Sequence, residues 1–246
     1  MGDLTLHQFA YSHFNEKARW AMDLKGLAHN RETYLPGPHM PAIRKMTGQT
    51  STPVLQEGDA FVVGSAQIID HLEQTHPTPP LYPEDPDLQE EALAVQRALD
   101  EQYGPAVRTV LFSVFVREGG YLTRMFGGSK SLPKRLAYRA MFPVAKSMIA
   151  KGNGVTPDNV VRCEKVTLEQ LDELARSVAG TGYLVGAAFS VADLTAAALT
   201  APIAGVEHPD MKRPQPMPER VRELIERYAD HEAIAWVNEM YRKHRK

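Results

Sequence analysis

The chain has 246 residues, 43% hydrophobic and 24% charged, which supports a buried core and excludes wholesale disorder. With 28 Lys and Arg against 30 Asp and Glu, its net charge of −2 speaks against whole-protein attraction to nucleic acid or to an anionic membrane. One cysteine, Cys163, excludes an intrachain disulfide and a multi-cysteine zinc site, and no apolar run approaches the ~20 residues of a membrane span. Met1 to Phe9 carries Asp3 and no basic stretch, unlike a secretory signal, so the expectation is a cytoplasmic protein with no membrane or nucleic-acid partner.

In chain order, Thr5 to Ala10 reads as a short strand. Phe14, Ala18, Ala21 and Met22 share one face of a helix that stops at Gly26. Glu32 to Leu35 is a second strand, Pro36-Gly37-Pro38 a loop, and Pro41 to Met46 a short helix entered through proline. Pro53 to Leu55 and Ala60 to Val63 are strands joined at Glu57-Gly58-Asp59 by a tight hairpin turn. Ser65 is read as the cap of a helix over Ala66 to Gln74. Then HPTPPLYPEDPD, with Pro77, Pro79, Pro80, Pro83 and Pro86, forbids a helix and favours a stiff connector.

Beyond it the pattern is helical almost throughout. A long helix over Leu88 to Val116 is softly interrupted at Gly104-Pro105. Gly119-Gly120 and Gly127-Gly128 bracket a flexible excursion. Helices follow over Lys134 to Ala150 and Asp158 to Val178. Ser190 and Asp193 form a capping box for an apolar helix running to Ala201. A Pro-rich loop covers His208 to Pro218, and Glu219 to Arg227 and Ala233 to Arg242 finish the chain. The expected organisation is an α/β domain at 1–76, a linker at 77–87 and an all-helical domain at 88–246. The terminal Arg242 to Lys246 is expected to complement a helix C-terminus.

Four local motifs within this layout carry a resemblance. Tyr11-Ser12-His13-Phe14-Asn15-Glu16-Lys17-Ala18-Arg19-Trp20 is similar to the Ser-Pro-Phe-x-x-Lys/Arg-Val-Arg-Trp run of the serine-type cytosolic glutathione transferases. Ser51-Thr52-Pro53-Val54-Leu55 resembles that superfamily's cis-proline loop. Gly64 to Leu72 resembles its Glu/Asp-Ser-x-x-Ile-x-x-Tyr-Leu helix start, and Ser190 to Asp193 its buried capping box. His13 stands where proline is usual, and Gly64 where an acid usually precedes the serine. The resemblance implies a thioredoxin-like N-terminal domain followed by an all-α domain, glutathione as co-substrate, a small electrophile as second substrate, no metal, and a homodimer.

The chemistry expected at the site starts from an ordinary thiol with a pKa of ~8.5, of which little is thiolate at neutral pH. Lowering that pKa by two units takes ~2.7 kcal/mol. A hydroxyl donating to the charged sulfur supplies ~1.5–3 kcal/mol, and a helix N-terminus adds ~0.3–1 kcal/mol. Ser12 ranks first for this role, then Asn15 by its amide and Tyr11 by its phenol; His13 in a loop is expected to face solvent. No cysteine stands at position 12 or 15, which excludes mixed-disulfide chemistry there. By resemblance, Thr52, Pro53 and Val54 hold the cysteinyl unit, with the Val54 backbone pairing as in an added strand. Ser65, Ala66 and Gln67 hold the γ-glutamyl end, and Lys45, Arg44 or Gln49 the glycyl carboxylate. The electrophile site is expected between the domains, walled by Tyr103, Val107, Arg108, Leu111 and Phe112. Residues 117 to 151 hold eight basic side chains against one acid, Glu118, which favours an anionic ligand if the run is not simply solvated surface.

Overall fold

The computed structural model describes residues 4–128 and 130–245. Four strands, β1 (Leu4–Gln8), β2 (Asn30–Thr33), β3 (Val54–Glu57) and β4 (Ala60–Val63), form one sheet in the order β2-β1-β3-β4. β1 and β2 are parallel; β1 with β3 and β3 with β4 are antiparallel. The parallel pair is connected through α1 (His13–Leu24); α2 (Met40–Thr47) leads from β2 toward β3, and α3 (Ser65–Thr75) follows β4. This is a thioredoxin-like α/β unit. Residues 76–85 carry no helix or strand, and helices follow.

Helix α1 is buried on almost every side, from His13 through Met22 apart from Phe14. It packs on α3 on one side and, on the other, on α9 (Val191–Ala204) of the helical domain. A helix so enclosed must pair its charges, because an unpaired buried charge is strongly destabilising. Lys17 donates to Asp100 at 2.5 Å, and Glu16 accepts from Arg19 at 2.8 Å. Helix α9 is buried over its whole length, and its start has the expected capping box: Ala192 N–H donates to Ser190 Oγ at 3.2 Å and Ser190 N–H to Asp193 Oδ2 at 2.9 Å. Asp193 also accepts from Leu184 N–H at 2.8 Å, so the box closes a loop as well as a helix.

The helical domain departs from the sequence reading in two places. The long helix is α4 (Pro86–Ala98), a π-helical turn (Leu99–Tyr103) and α5 (Gly104–Phe115), without a break. Pro105 lacks an N–H, and the wider turn just before it relieves the clash that its ring makes with the preceding turn. The second departure is α6 (Gly119–Gly127), where a flexible excursion is expected. Its Tyr121, Leu122, Met125 and Phe126 are buried at helical spacing. Gly119 sits where a Cβ would come within 2.2 Å of the Phe142 ring, so the glycine permits close packing rather than mobility. α7 (Leu132–Gly152), α8 (Pro157–Val178), α10 (Glu219–Ala229) and α11 (Glu232–His244) complete the fold. No helix among the described residues is long and apolar enough to cross a membrane.

Arg245 does not merely follow the last helix. It is 6% exposed and bonds Glu16 at 2.8 Å and Asp23 and Asp210 at 2.7 Å each, drawing the end of the chain onto α1. The expected complement to a helix C-terminus is met by Arg242, Lys243 and His244 in the last turn of α11, and among the described residues Arg245 alone departs from it, because the carboxylates around α1 attract it more strongly than a partial helix charge does.

Candidate active site

Ser12 is the N-cap residue of α1, in extended backbone conformation, and its side chain makes no capping bond. The Asn15 amide donates to Ser12 Oγ at 2.7 Å, while Asn15 Oδ1 accepts from Phe9 N–H at 3.4 Å. The second bond fixes which end of the amide faces the serine. Ser12 Oγ is thus an acceptor from within the protein, and its own proton is left for a partner outside. The helix-start N–H groups beside it carry no side-chain cap, so the positive end of α1 remains open to an anion.

Asn15 itself is 0% exposed and does not line the cavity in front of Ser12. It orients Ser12 rather than offering its amide to a ligand, because both ends of that amide are already bonded. His13 is likewise not a solvent-facing loop residue: it is the first residue of α1, buried, with Nε2 bonded to the Gly104 carbonyl at 3.0 Å. Desolvation pushes its pKa down to about 3, so the ring is neutral and Nε2 is the donor. Tyr11 lines the cavity with φ of 59°, a left-handed conformation that a bulky side chain rarely adopts. Burial raises its phenol pKa.

The cavity has a volume of about 390 Å³. Its floor is Phe9 to Phe14 without Ala10, one side is Pro36, Gly37, Met40, Ser51 and Thr52, and the opposite wall is Arg108, Leu111, Phe112 and Phe115 of α5. Met125 and Phe126 of α6 with Met148 and Ile149 of α7 form a roof. Sequence reasoning misses the roof, because paired glycines around α6 read as a loop; the helical spacing of Tyr121, Leu122, Met125 and Phe126 is the signal that marks it. Of the expected wall residues, Tyr103 and Val107 face away: both are 0% exposed, and Tyr103 Oη shares a hydrogen bond with Thr200 at 2.9 Å. They lie on the side of the helix that meets α9, while Arg108, Leu111 and Phe112 face the cavity.

The residues expected to hold a tripeptide are distributed unevenly. The Thr52–Pro53 bond is cis. Val54 is 0% exposed and begins β3, paired with His7 on one side and Val63 on the other, so its backbone offers no free edge. Thr52 precedes the strand and lines the cavity, with its hydroxyl oxygen buried and without a partner among the described residues, whereas Val54 does not line the cavity. Ser65 is the first residue of α3 and Gly64 its N-cap, with φ of 97°, which favours glycine. A Cβ on Gly64 would meet Gln67 Oε1 at 2.4 Å: the Gln67 carboxamide folds over the glycine. Ala66 is half-buried beside it. Lys45 and Arg44 are exposed on α2, and Gln49 bonds Thr47 at 3.0 Å and the Ser51 carbonyl at 3.1 Å, bracing the loop before Thr52. Lys45, Gln49, Ser65, Ala66 and Gln67 all lie outside the cavity lining.

A second cleft, of about 480 Å³, is lined by Arg117, Arg124, Arg135 and Arg139 and shares no residue with the first. Glu16, His208 and Asp210 offer ligand atoms within 4.8 Å of one another, but both carboxylates already hold Arg19 and Arg245. Cys163 is buried in α8.

Residues 6–80 match the family described as "Glutathione S-transferase, N-terminal domain". The fold of the whole chain is shared with solved structures of low sequence identity. A glutathione S-transferase from Methylobacterium radiotolerans, in complex with glutathione sulfonate, is 20% identical with a TM-score of 0.59, over 95% of this chain and 93% of that one. The β-etherase LigF from Sphingobium sp. strain SYK-6 is 17% identical with a TM-score of 0.66, over 96% and 98%. A maleylacetoacetate isomerase from Methylobacterium extorquens, with bound malonate and glutathione, is 18% identical with a TM-score of 0.57, over 96% of each chain. No curated protein matches the sequence significantly. The sheet, the cis-proline loop and the helices that follow define a protein of glutathione transferase fold. Residues 6–80 belong to the glutathione S-transferase N-terminal domain family, and the rest of the chain shares the fold of the structures above.

Proposed function

We propose that the protein is a glutathione transferase in which Ser12 activates the thiol of glutathione for attack on a small electrophile. One observation carries this reading: Ser12 Oγ accepts from Asn15 at 2.7 Å, which aims its free proton into the cavity at the uncapped start of α1. A sulfur seated there receives a hydrogen bond and the helix's partial positive charge, both stronger for thiolate than for thiol. Thr52 lies where the cysteinyl unit is held, beside the cis Pro53, and Ser65, Ala66 and Gln67 take the γ-glutamyl end at the start of α3. The thiolate forms a carbon–sulfur bond while the leaving group departs with its electron pair; with an activated alkene, the carbon instead takes a proton from solvent. The protein supplies positioning and charge stabilisation with no covalent adduct of its own. The setting this reading implies is a cytoplasmic homodimer.

The test follows bound glutathione by thiolate ultraviolet absorbance across pH, with conjugation of a chloronitrobenzene measured alongside. Ser12→Ala is expected to raise the apparent thiol pKa by ~1–2 units and to lower turnover at neutral pH accordingly. Unchanged titration and turnover in the folded variant overturn the role of Ser12. A second reading, an ether-cleaving or isomerising glutathione-dependent enzyme, uses the same thiolate and is favoured by the roofed cavity, which holds a second substrate against the sulfur. Absence of retention on immobilised glutathione would instead point to a scaffold without catalysis.

A further inference from the structure

The cavity lining contains no aspartate or glutamate, and His13 is neutral, so Arg108 carries the only full charge among its described residues. Other inward-turned arginines have partners for their terminal nitrogens or ring faces: Arg19 and Arg245 hold carboxylates; Arg213 donates to the Pro202 carbonyl and lies over the Phe115 ring; Arg124 donates to the Pro216 carbonyl and lies over Tyr121, although its Nε, like that of Arg108, is buried without a partner. Arg108 makes no ion pair or hydrogen bond with any described residue, and its Nε is buried without a partner. It also borders a neighbouring cleft of about 320 Å³, where Glu101 sits, yet no ion pair joins the two. Burial alone acts on its pKa, lowering it, with no acid to restore it. Besides burial, its charge helps to lower the pKa of the His13 ring, which stands next to Ser12 in the lining of the same cavity.

An unanswered guanidinium against apolar walls is unfavourable by itself, and its planar fork matches one oxyanion geometry well. We propose that Arg108 receives a carboxylate on the second substrate, so that the cavity selects anionic electrophiles with a flat apolar body. Phe112 and Phe115 supply the flat walls, and the carboxylate restores the missing counter-charge. The proposal rests on the cavity being the electrophile site described above, and it adds the class of compound that enters.

Affinity is measured on the full-length protein by calorimetry, using dinitrobenzoate and the matching neutral dinitrobenzamide, neither of which has a leaving group. The wild type is expected to prefer the carboxylate. Arg108→Gln is expected to reduce the carboxylate-to-amide affinity ratio by about 10- to 100-fold, with Arg108→Lys recovering part of it. Equal affinities in the wild type, or a preference that survives in Arg108→Gln, overturn the proposal. So does a variant that weakens glutathione binding while leaving the ratio intact, because Arg108 would then serve the tripeptide. Should the glutamine variant not fold by circular dichroism, the ratio in Arg108→Lys decides: a value equal to that of the wild type shows no contribution from the guanidinium. The ring-chlorinated forms are then assayed for conjugation. If neither reacts, the transferase reading fails, while the binding ratio still judges Arg108.

Discussion

On one flank of α1, Glu16, Arg19 and Asp23 meet Arg31, Asp210 and Arg245, and every charge has an opposite within 2.9 Å. Arg19, Arg31 and Arg245 hold the Asp210 carboxyl below its ordinary range even though burial pushes it up. At the first turn of the same helix, Ser12 and His13 face a cavity where a hydroxyl proton, the helix-start amides and the Arg108 cation go unanswered by the described residues. The two regions are similar in polarity and differ in closure. A closed set of charges locks one conformation, whereas an open set has its complement in a ligand.

The comparison breaks most visibly if the closed flank is opened. Glu16→Ala leaves Arg19 and Arg245 buried with one carboxylate fewer, and is expected to lower unfolding free energy by ~3–5 kcal/mol, read from urea denaturation. A loss below ~1 kcal/mol would show that the flank does not hold α1. A smaller effect is expected at the open end. His13 has a folded-state pKa of about 3, below its unfolded value of 6.5, so its contribution is complete above 6.5 and is lost as pH falls toward 3. Between pH 6.5 and 5 the wild type should lose ~2 kcal/mol more than His13→Gln, which keeps a donor for the Gly104 carbonyl. Parallel pH curves would show that the ring accepts a proton in the folded state. The smallest effect belongs to the rim: Arg31→Ala, at a side chain 31% exposed, should change stability by less than ~1 kcal/mol and less still at high salt.

Much of this arrangement is legible in the sequence where the determinant is local. Ser190 and Asp193 sit at the spacing of a capping box and form one. Glu57-Gly58-Asp59 between two apolar runs turns the hairpin as expected, with Gly58 at φ of 60°. Ser12 and Thr52 border one cavity though 40 positions apart, and it is the motif pair that foreshadows this, not either residue alone. What stays hidden depends on a partner distant in the chain. Asn15 reads as a rival donor to the sulfur until Phe9 and Ser12 engage its amide. Arg245 reads as part of a basic segment complementing a helix C-terminus until Glu16 draws it in. Tyr103 and Arg108 share a helical run, and only the packing of α9 decides which is core and which is wall.

The roof of the cavity reaches the sheet-bearing half through few ties. Tyr138 Oη donates to the Pro36 carbonyl at 3.1 Å, and Lys130 Nζ donates to the Thr33 carbonyl, both backbone acceptors at or just after the end of β2. Main-chain carbonyls are present whatever side chains surround them. Side-chain changes in α6 and α7 can therefore reshape the space above Ser12 without touching the segment that carries it. Under the proposed function, the part of the selectivity that the roof sets and the activation of the thiol are thus carried by separate segments of the chain.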